Sequence, residues 1–229
     1  MNCTIDEKIY QEFRKALNAT NVFGCEKEYV ELYNLGYALL DRMEKCVGYI
    51  NAHTMIPNSE EEFLLLMMYG SMVVDAVKLV LHLLEVEHPY TRDSQTTYSY
   101  FADVCEEYNL ILPDGKIPTD DKVWEYIRSL SFAHPFETSR AKFLKKDETQ
   151  YSPAIIANIK PEFLPVDAEP TIGILVYSTA FPEIKVLNIP YTRILGYISS
   201  RYQLLALGTE RIKQIIEDKK QEWAKQKVQ

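Results

Sequence analysis

The sequence predicts a mainly α-helical bundle that carries a small β-hairpin and a long C-terminal helix. Apolar residues recur at helical spacing over several long stretches, two β-branched runs stand together after residue 170, and the chain then returns to helical spacing. At 229 residues there is material for one sizeable core or a core with an appendage. A 47% hydrophobic and 25% charged composition excludes wholesale disorder.

Ile5, Ile9, Phe13 and Leu17 fall on a four-residue period, which marks an amphipathic helix over residues 5–17 that Gly24 separates from the next helix. A long helix runs from Glu26 to about Ala52, with Tyr29, Leu32, Tyr33, Gly36, Leu39, Leu40, Met43, Val47 and Ile50 recurring at helical spacing, and Pro57 with Asn58 punctuates its end. Ser59 followed by Glu62 has the capping-box form, in which each side chain answers the other's orphan backbone N–H. The run from Phe63 to Val86 is apolar on nearly every side and suits the centre of a bundle. Ser71, Asp75, Lys78 and His82 interrupt it too often for a membrane span, so no membrane partner is expected. Asp75 and Lys78, three residues apart, suit a partly buried structural ion pair.

His88-Pro89 closes this helix, and a shorter one covers Tyr98 to Tyr108. Pro113-Asp114-Gly115 is a turn. Thr119 or Asp120 then caps a helix whose positive first turn holds Asp120 and Asp121, and Pro135 stops it. Residues 151–170 are proline-punctuated and irregular. Ile172 to Tyr177 and Ile184 to Ile189 read as a hairpin around Ser178 to Glu183. Two strands alone are marginal in water, so the pair must lie against helices or complete a sheet with a second copy of the chain. One terminal helix covers Tyr191 to about Lys225. The expected division is a helical bundle over residues 1–150 and a hairpin with the terminal helix over residues 151–229.

The first residues lack a basic stretch followed by an apolar one, which points to a cytoplasmic protein. Cys3, Cys25, Cys46 and Cys105 lie far apart without CxxC spacing, so reduced thiols are expected rather than disulfides or a zinc site. A net charge of -8 excludes a general nucleic-acid-coating surface, because phosphate affinity comes from clustered Lys and Arg. One local basic patch exists: Arg140, Lys142, Lys145 and Lys146, either an RNA contact or a solvated loop. His53, His82 and His88 lack ligand spacing, and no phosphate loop, dinucleotide-binding glycine motif or nucleophile elbow is present, so neither metal nor cofactor is expected. Most of the 16 tyrosines fall at helical core spacing, which favours packing over base stacking.

The segment from Trp124 to Pro135 sets one arginine and one histidine in an otherwise apolar helix end. Arg128 brings a guanidinium and His134 an imidazole, the residue types best suited to hold a phosphate and to move a proton, a combination that can serve a phosphate ester. An arginine pairing with a carboxylate and a histidine bonded to a nearby carbonyl are the structural alternative. Six helical steps amount to about 240°, which separates the two side chains on an unbroken helix. Pro135 disfavours helical geometry at His134 and lets that residue leave the cylinder. Two protomers sharing one cleft would be another route to convergence.

Arg128-Ser129-Leu130-Ser131-Phe132-Ala133-His134 resembles the R-x4-6-H motif of the HEPN superfamily, the helical "higher eukaryotes and prokaryotes nucleotide-binding" domains, and His134-Pro135 is similar to its common continuation. The order of a long helix, a nearly all-apolar helix and a helix ending in the motif extends the likeness over roughly residues 26–140. The resemblance implies a helical bundle, often a homodimer, whose active members are metal-independent endoribonucleases of toxin or defence systems, held in check by an antitoxin or regulatory protein. It implies His134 as general acid or base, Arg128 as the phosphate-binding cation and Ser129 as a polar helper in attack by a ribose 2'-hydroxyl. Ser129 stands where many relatives carry asparagine or aspartate. A non-catalytic nucleotide-binding or oligomerisation module is the alternative within the same family.

Overall fold

The computed structural model describes residues 5–19, 22–88, 95–139, 144–145, 147–157 and 169–226. It is mainly helical, with a small antiparallel sheet and a long helix at its C-terminal end. The helices are α1 (Glu7–Leu17), α2 (Val22–Cys25), α3 (Val30–Ala52), α4 (Glu60–Leu83), α5 (Ala102–Tyr108), α6 (Asp120–Arg128), α7 (Tyr191–Gln203) and α8 (Leu205–Gln226). The strands are β1 (Gln150–Tyr151), β2 (Ile155–Ile156), β3 (Thr171–Ser178) and β4 (Phe181–Pro190). The chain forms two units that interleave in sequence. One draws its described residues from His53–Ser71 and Pro89–Tyr197, the other from Thr4–Ala52, Met72–His88 and Ile198–Gln229.

In the second of these, Asp6 caps α1 by accepting from the Lys8 N–H at 3.0 Å. Helix α1 buries Tyr10, Phe13, Ala16 and Leu17 and packs on α3 and α8. Gly36 of α3 is required by that approach, since a Cβ there would fall 2.7 Å from the Leu17 Cδ2. The Tyr202 hydroxyl accepts from the Tyr10 N–H at 3.1 Å and donates to the Asp6 carbonyl at 2.9 Å, tying the start of α1 to the end of α7.

Helix α4 begins as the capping box requires, with the Glu62 N–H donating to the Ser59 hydroxyl at 3.2 Å. The return bond differs from the pattern: the Glu62 carboxylate accepts from Asn58 at 2.8 Å. Among the described residues α4 alone is long and apolar enough to cross a membrane, and 56% of its most apolar window is buried within the protein. Phe63, Leu66, Met67, Val73, Val74, Val77 and Val80 are buried, while Leu65, Asp75 and Leu79 are exposed.

The mixed unit is organised by Asp120, which is 1% exposed. Its position in the sequence suggests a first-turn or capping role in its own helix. Its carboxylate instead accepts from three successive backbone N–H groups before α5: Ser99 at 2.8 Å, Tyr100 at 3.1 Å and Phe101 at 2.9 Å. Asp121 accepts from the Tyr197 hydroxyl at 2.7 Å, and the Trp124 ring stacks on Tyr197 with centroids 4.8 Å apart. A Cβ at Gly196 would meet the Tyr100 ring at 2.7 Å, so this aromatic cluster closes only over a glycine.

The hairpin expected after residue 170 is present, within a four-stranded sheet completed by the same chain. Strand β4 pairs along one edge of β3, and β1 and β2 pair with its other edge in succession. Strands β1 and β2 fall in the stretch expected to be irregular; two residues each are too few for a periodic signal. Strand β4 begins at Phe181, inside the expected loop. Pro182 is tolerated there because β4 is an edge strand, where a missing N–H breaks no ladder. The outer edge of β4 is covered in part by Tyr108, whose hydroxyl donates to the Val186 carbonyl and accepts from the Asn188 N–H. The single expected terminal helix is two, broken at Leu204, where three-residue backbone bonds from Leu204 to Arg201 and from Leu207 to Leu204 replace the helical pattern.

Cys46 and Cys105 are free and buried. Burial, followed by the charges of Asp120, Asp103 and Glu106, pushes the Cys105 thiol up to about 12. Alkylation by iodoacetamide at about pH 8 should therefore spare Cys105 in the native protein and proceed once urea unfolds it, as read by mass spectrometry. Replacing Asp120 with Ala strands three N–H groups and should lower the urea-unfolding free energy by at least about 2 kcal/mol. Asp120→Asn, which retains one acceptor oxygen, should lose less.

Candidate active site

Helix α6 does not end as an α-helix. After Arg128 the chain widens into a π-helical turn over Ser129–Ala133, closed by the His134 N–H donating to the Ser129 carbonyl at 2.9 Å. Ser131 contributes to the change, because its hydroxyl donates to the Ile127 carbonyl at 2.8 Å and competes for the acceptor an α-helix would use. His134 then leaves the cylinder with φ -147° and ψ 53°, as the following proline disposes it to do.

His134 is exposed and lines a cleft of about 350 Å³, within the usual size range of small-ligand pockets. Ser129, Ala133, Phe136, Glu137 and Ser139 line the same cleft. The hydroxyls of Ser129 and Thr138 lie 3.2 Å apart, and the Thr138 hydroxyl donates to the His134 carbonyl at 2.8 Å. A hydroxyl has one proton, so Ser129 is the donor to Thr138, and both of its lone pairs are left to accept.

The cleft segment is anchored to the sheet. Thr138 and Gln150 exchange both backbone bonds, at 2.8 and 2.9 Å, and the Ser152 N–H donates to the Pro135 carbonyl at 2.7 Å. Behind that contact lies a buried polar network. The Tyr126 hydroxyl donates to the Gln150 amide oxygen, and the Gln150 amide donates to Glu148 at 2.9 Å. Glu148 also accepts from the Ser178 hydroxyl at 2.7 Å and the Lys145 N–H at 3.0 Å. Burial raises the Glu148 pKa, but the Ser178, Lys145 and Gln150 hydrogen bonds and the Lys145 charge outweigh it and leave the carboxyl below its ordinary range. Burial and the Glu148 charge push the Tyr126 phenol well up.

The structure thus brings Ser129 and His134 to one cleft. Arg128 is not among the described residues lining it; its guanidinium pairs with Glu125 at 3.5 Å. Lys145 is exposed, while Arg140, Lys142 and Lys146 lie outside the described residues. Among the described residues no group of three or more His, Cys, Asp or Glu side chains is placed to hold a metal ion. Phe136, Glu137 and Ser139 were not expected at the site. The signal available for Glu137 was its position three residues after His134 across a proline, which suggests a turn folding back on the imidazole.

Comparison with protein-family models, with curated proteins and with solved structures finds no match to this chain.

Because the Glu148 carboxyl is depressed in the folded protein, its contribution to stability is complete above the ordinary value of 4.5 and is lost as the pH falls through the folded value. Urea unfolding of wild type and Glu148→Gln should therefore show the wild type ahead at neutral pH and the gap narrowing as the pH is lowered below 4.5.

Proposed function

We propose that the chain is a HEPN-like, metal-independent endoribonuclease of toxin or defence type. The observation that carries this reading is the exposed His134 imidazole in a cleft that also holds the Ser129 hydroxyl, at the helix end where the R-x5-H motif terminates. In the reaction a ribose 2'-hydroxyl attacks the adjacent phosphorus, the bond to the 5'-oxygen breaks, and the products are a 2',3'-cyclic phosphate and a free 5'-hydroxyl. His134 serves both proton steps, taking the proton from the 2'-hydroxyl as it attacks and returning it to the leaving 5'-oxygen. Ser129, with its own O–H donated to Thr138, is a polar helper whose lone pairs are left to accept from a substrate group other than the attacking hydroxyl.

Arg128 supplies the charge that stabilises the phosphorane-like transition state, for which it must release Glu125. That release is cheap. The pair is an i,i+3 contact at 3.5 Å with the two side chains 25% and 51% exposed, the kind of ion pair worth roughly 0.2 to 1 kcal/mol. A homodimer would bring a second Arg128 and His134 pair toward the same substrate, and an antitoxin or regulatory protein would control the site by covering it.

The second reading is a non-catalytic HEPN-like nucleotide-binding or oligomerisation module. The engagement of Arg128 by Glu125 and the presence of the Glu137 carboxylate in the cleft favour it. RNA cleavage in EDTA separates the two. The wild type should cleave, His134→Ala should lose about 10²- to 10⁴-fold in rate and Arg128→Ala about 10²- to 10³-fold. Equal rates in wild type and His134→Ala would remove the ribonuclease reading.

A further inference from the structure

Strand alternation sorts the residues around the cleft onto two sides. Thr138, Gln150 and Ser178 are neighbours across three successive segments, through the Thr138–Gln150 bridge and the Gln150–Ser178 pairing. Their side chains belong to the inner side: Thr138 and Gln150 are buried, and Ser178 reaches Glu148. The pleat that turns these inward turns the next residues outward. Those are Glu137, Tyr151 and Tyr177, and all three are exposed.

Tyr151 and Tyr177 are direct cross-strand partners, 40% and 42% exposed, on a strip otherwise built to bury its polar groups. Directly opposed residues hold their Cβ atoms about 5 Å apart, so the two side chains leave adjacent positions on one side of the sheet, each with exposed surface that a base can meet. That surface is joined to the cleft by covalent and hydrogen-bonded backbone. The residues on either side of Tyr151 carry the bonds to Thr138 and Pro135, and Glu137, on the same side, lines the cleft with His134. At the cleft itself Phe136 is 81% exposed. Three exposed aromatic rings along one short backbone path are an expensive way to meet water and a good way to meet flat π-faces.

We propose that Tyr151 and Tyr177 form a stacking platform for the unpaired bases of an RNA strand that enters the His134 cleft past Phe136. The inference rests on the ribonucleolytic reading and adds to it the part of the substrate that is gripped. Stacking requires splayed bases, so a single strand is bound and a duplex is refused. It also reads no base edge, so sequence preference is slight.

The test uses the full chain carrying His134→Ala, which prevents turnover, and fluorescence anisotropy with a labelled oligouridylate. Each of Tyr151→Ala and Tyr177→Ala should weaken binding about tenfold, while Tyr151→Phe and Tyr177→Phe, which keep the ring, should bind within about twofold of the parent. The same label in a perfect duplex should bind far more weakly than the single strand. Unchanged thermal unfolding by circular dichroism would confirm that the surface substitutions act on binding. Alanine variants that bind like the parent, or a duplex that binds as tightly as the single strand, would overturn the platform while leaving His134-dependent cleavage standing. Tyrosine-dependent binding with cleavage indifferent to His134→Ala would overturn the ribonuclease and leave the platform. Absence of binding to the oligouridylate by the parent would overturn the platform outright.

Discussion

One buried carboxylate organises the unit that bears the cleft. Asp120 takes the backbone N–H groups of Ser99, Tyr100 and Phe101 while standing in the first turn of α6, so the positive ends of α5 and α6 meet on a single negative charge. Three charge-assisted bonds in a site 1% exposed are worth more than surface contacts of the same number, since no water competes for them. The next residue continues the work, Asp121 holding Tyr197 and Trp124 stacking on it one turn later. The N-terminal half of α6 is thereby tied to two other parts of its unit. At its C-terminal end the helix gives up its regular bonding for the wider turn that releases His134.

The second constraint is the polar network behind the cleft. Tyr126, Gln150, Glu148 and Ser178 satisfy one another in a buried place, and Gln150 carries the result to the cleft through its two backbone bonds with Thr138. Such a network is stable when every member is paired and costly when one is removed. It holds the segment from Pro135 to Thr138 on a strand rather than leaving it a free loop. A site that must present an imidazole and a hydroxyl together benefits from that rigidity, because positioning is lost long before contact is.

The long helices were legible because they are long: Leu32 to Ile50 and Phe63 to Val80 repeat a period often enough to be unambiguous. The hairpin was legible from its β-branched runs. Strands β1 and β2 were not, since two residues carry no period, and the break at Leu204 has neither proline nor glycine to announce it. Pro135 announced the end of α6 but not the form of that end, which Ser131 and the Ile127 carbonyl decide between them. Asp120 was read by the local rule for acids in a first turn. Its partners lie about twenty residues upstream, where no local rule reaches. The tyrosines show the same limit: Tyr126 and Tyr202 are packed as their spacing suggested, whereas Tyr151 and Tyr177 take their exposure from a sheet register that only the fold supplies.

The balance of charge bears on how such a protein would hold RNA at all. The chain carries a net charge of -8, and the cleft lining among the described residues includes a carboxylate and no lysine or arginine. Counterion release, the usual source of nucleic-acid affinity, then has little to draw on beyond Arg128 and Lys145. Aromatic faces ask for no positive charge and lose nothing to salt screening, so they suit an acidic protein better than a basic rim would. On the ribonucleolytic reading, binding and chemistry thus fall to different residue types: rings hold the bases, and one imidazole with one guanidinium attends to a single phosphate. An acidic surface would still repel every phosphate that is not gripped in this way. That repulsion confines a strand to the site where stacking overcomes it and discourages lodgement elsewhere on the protein.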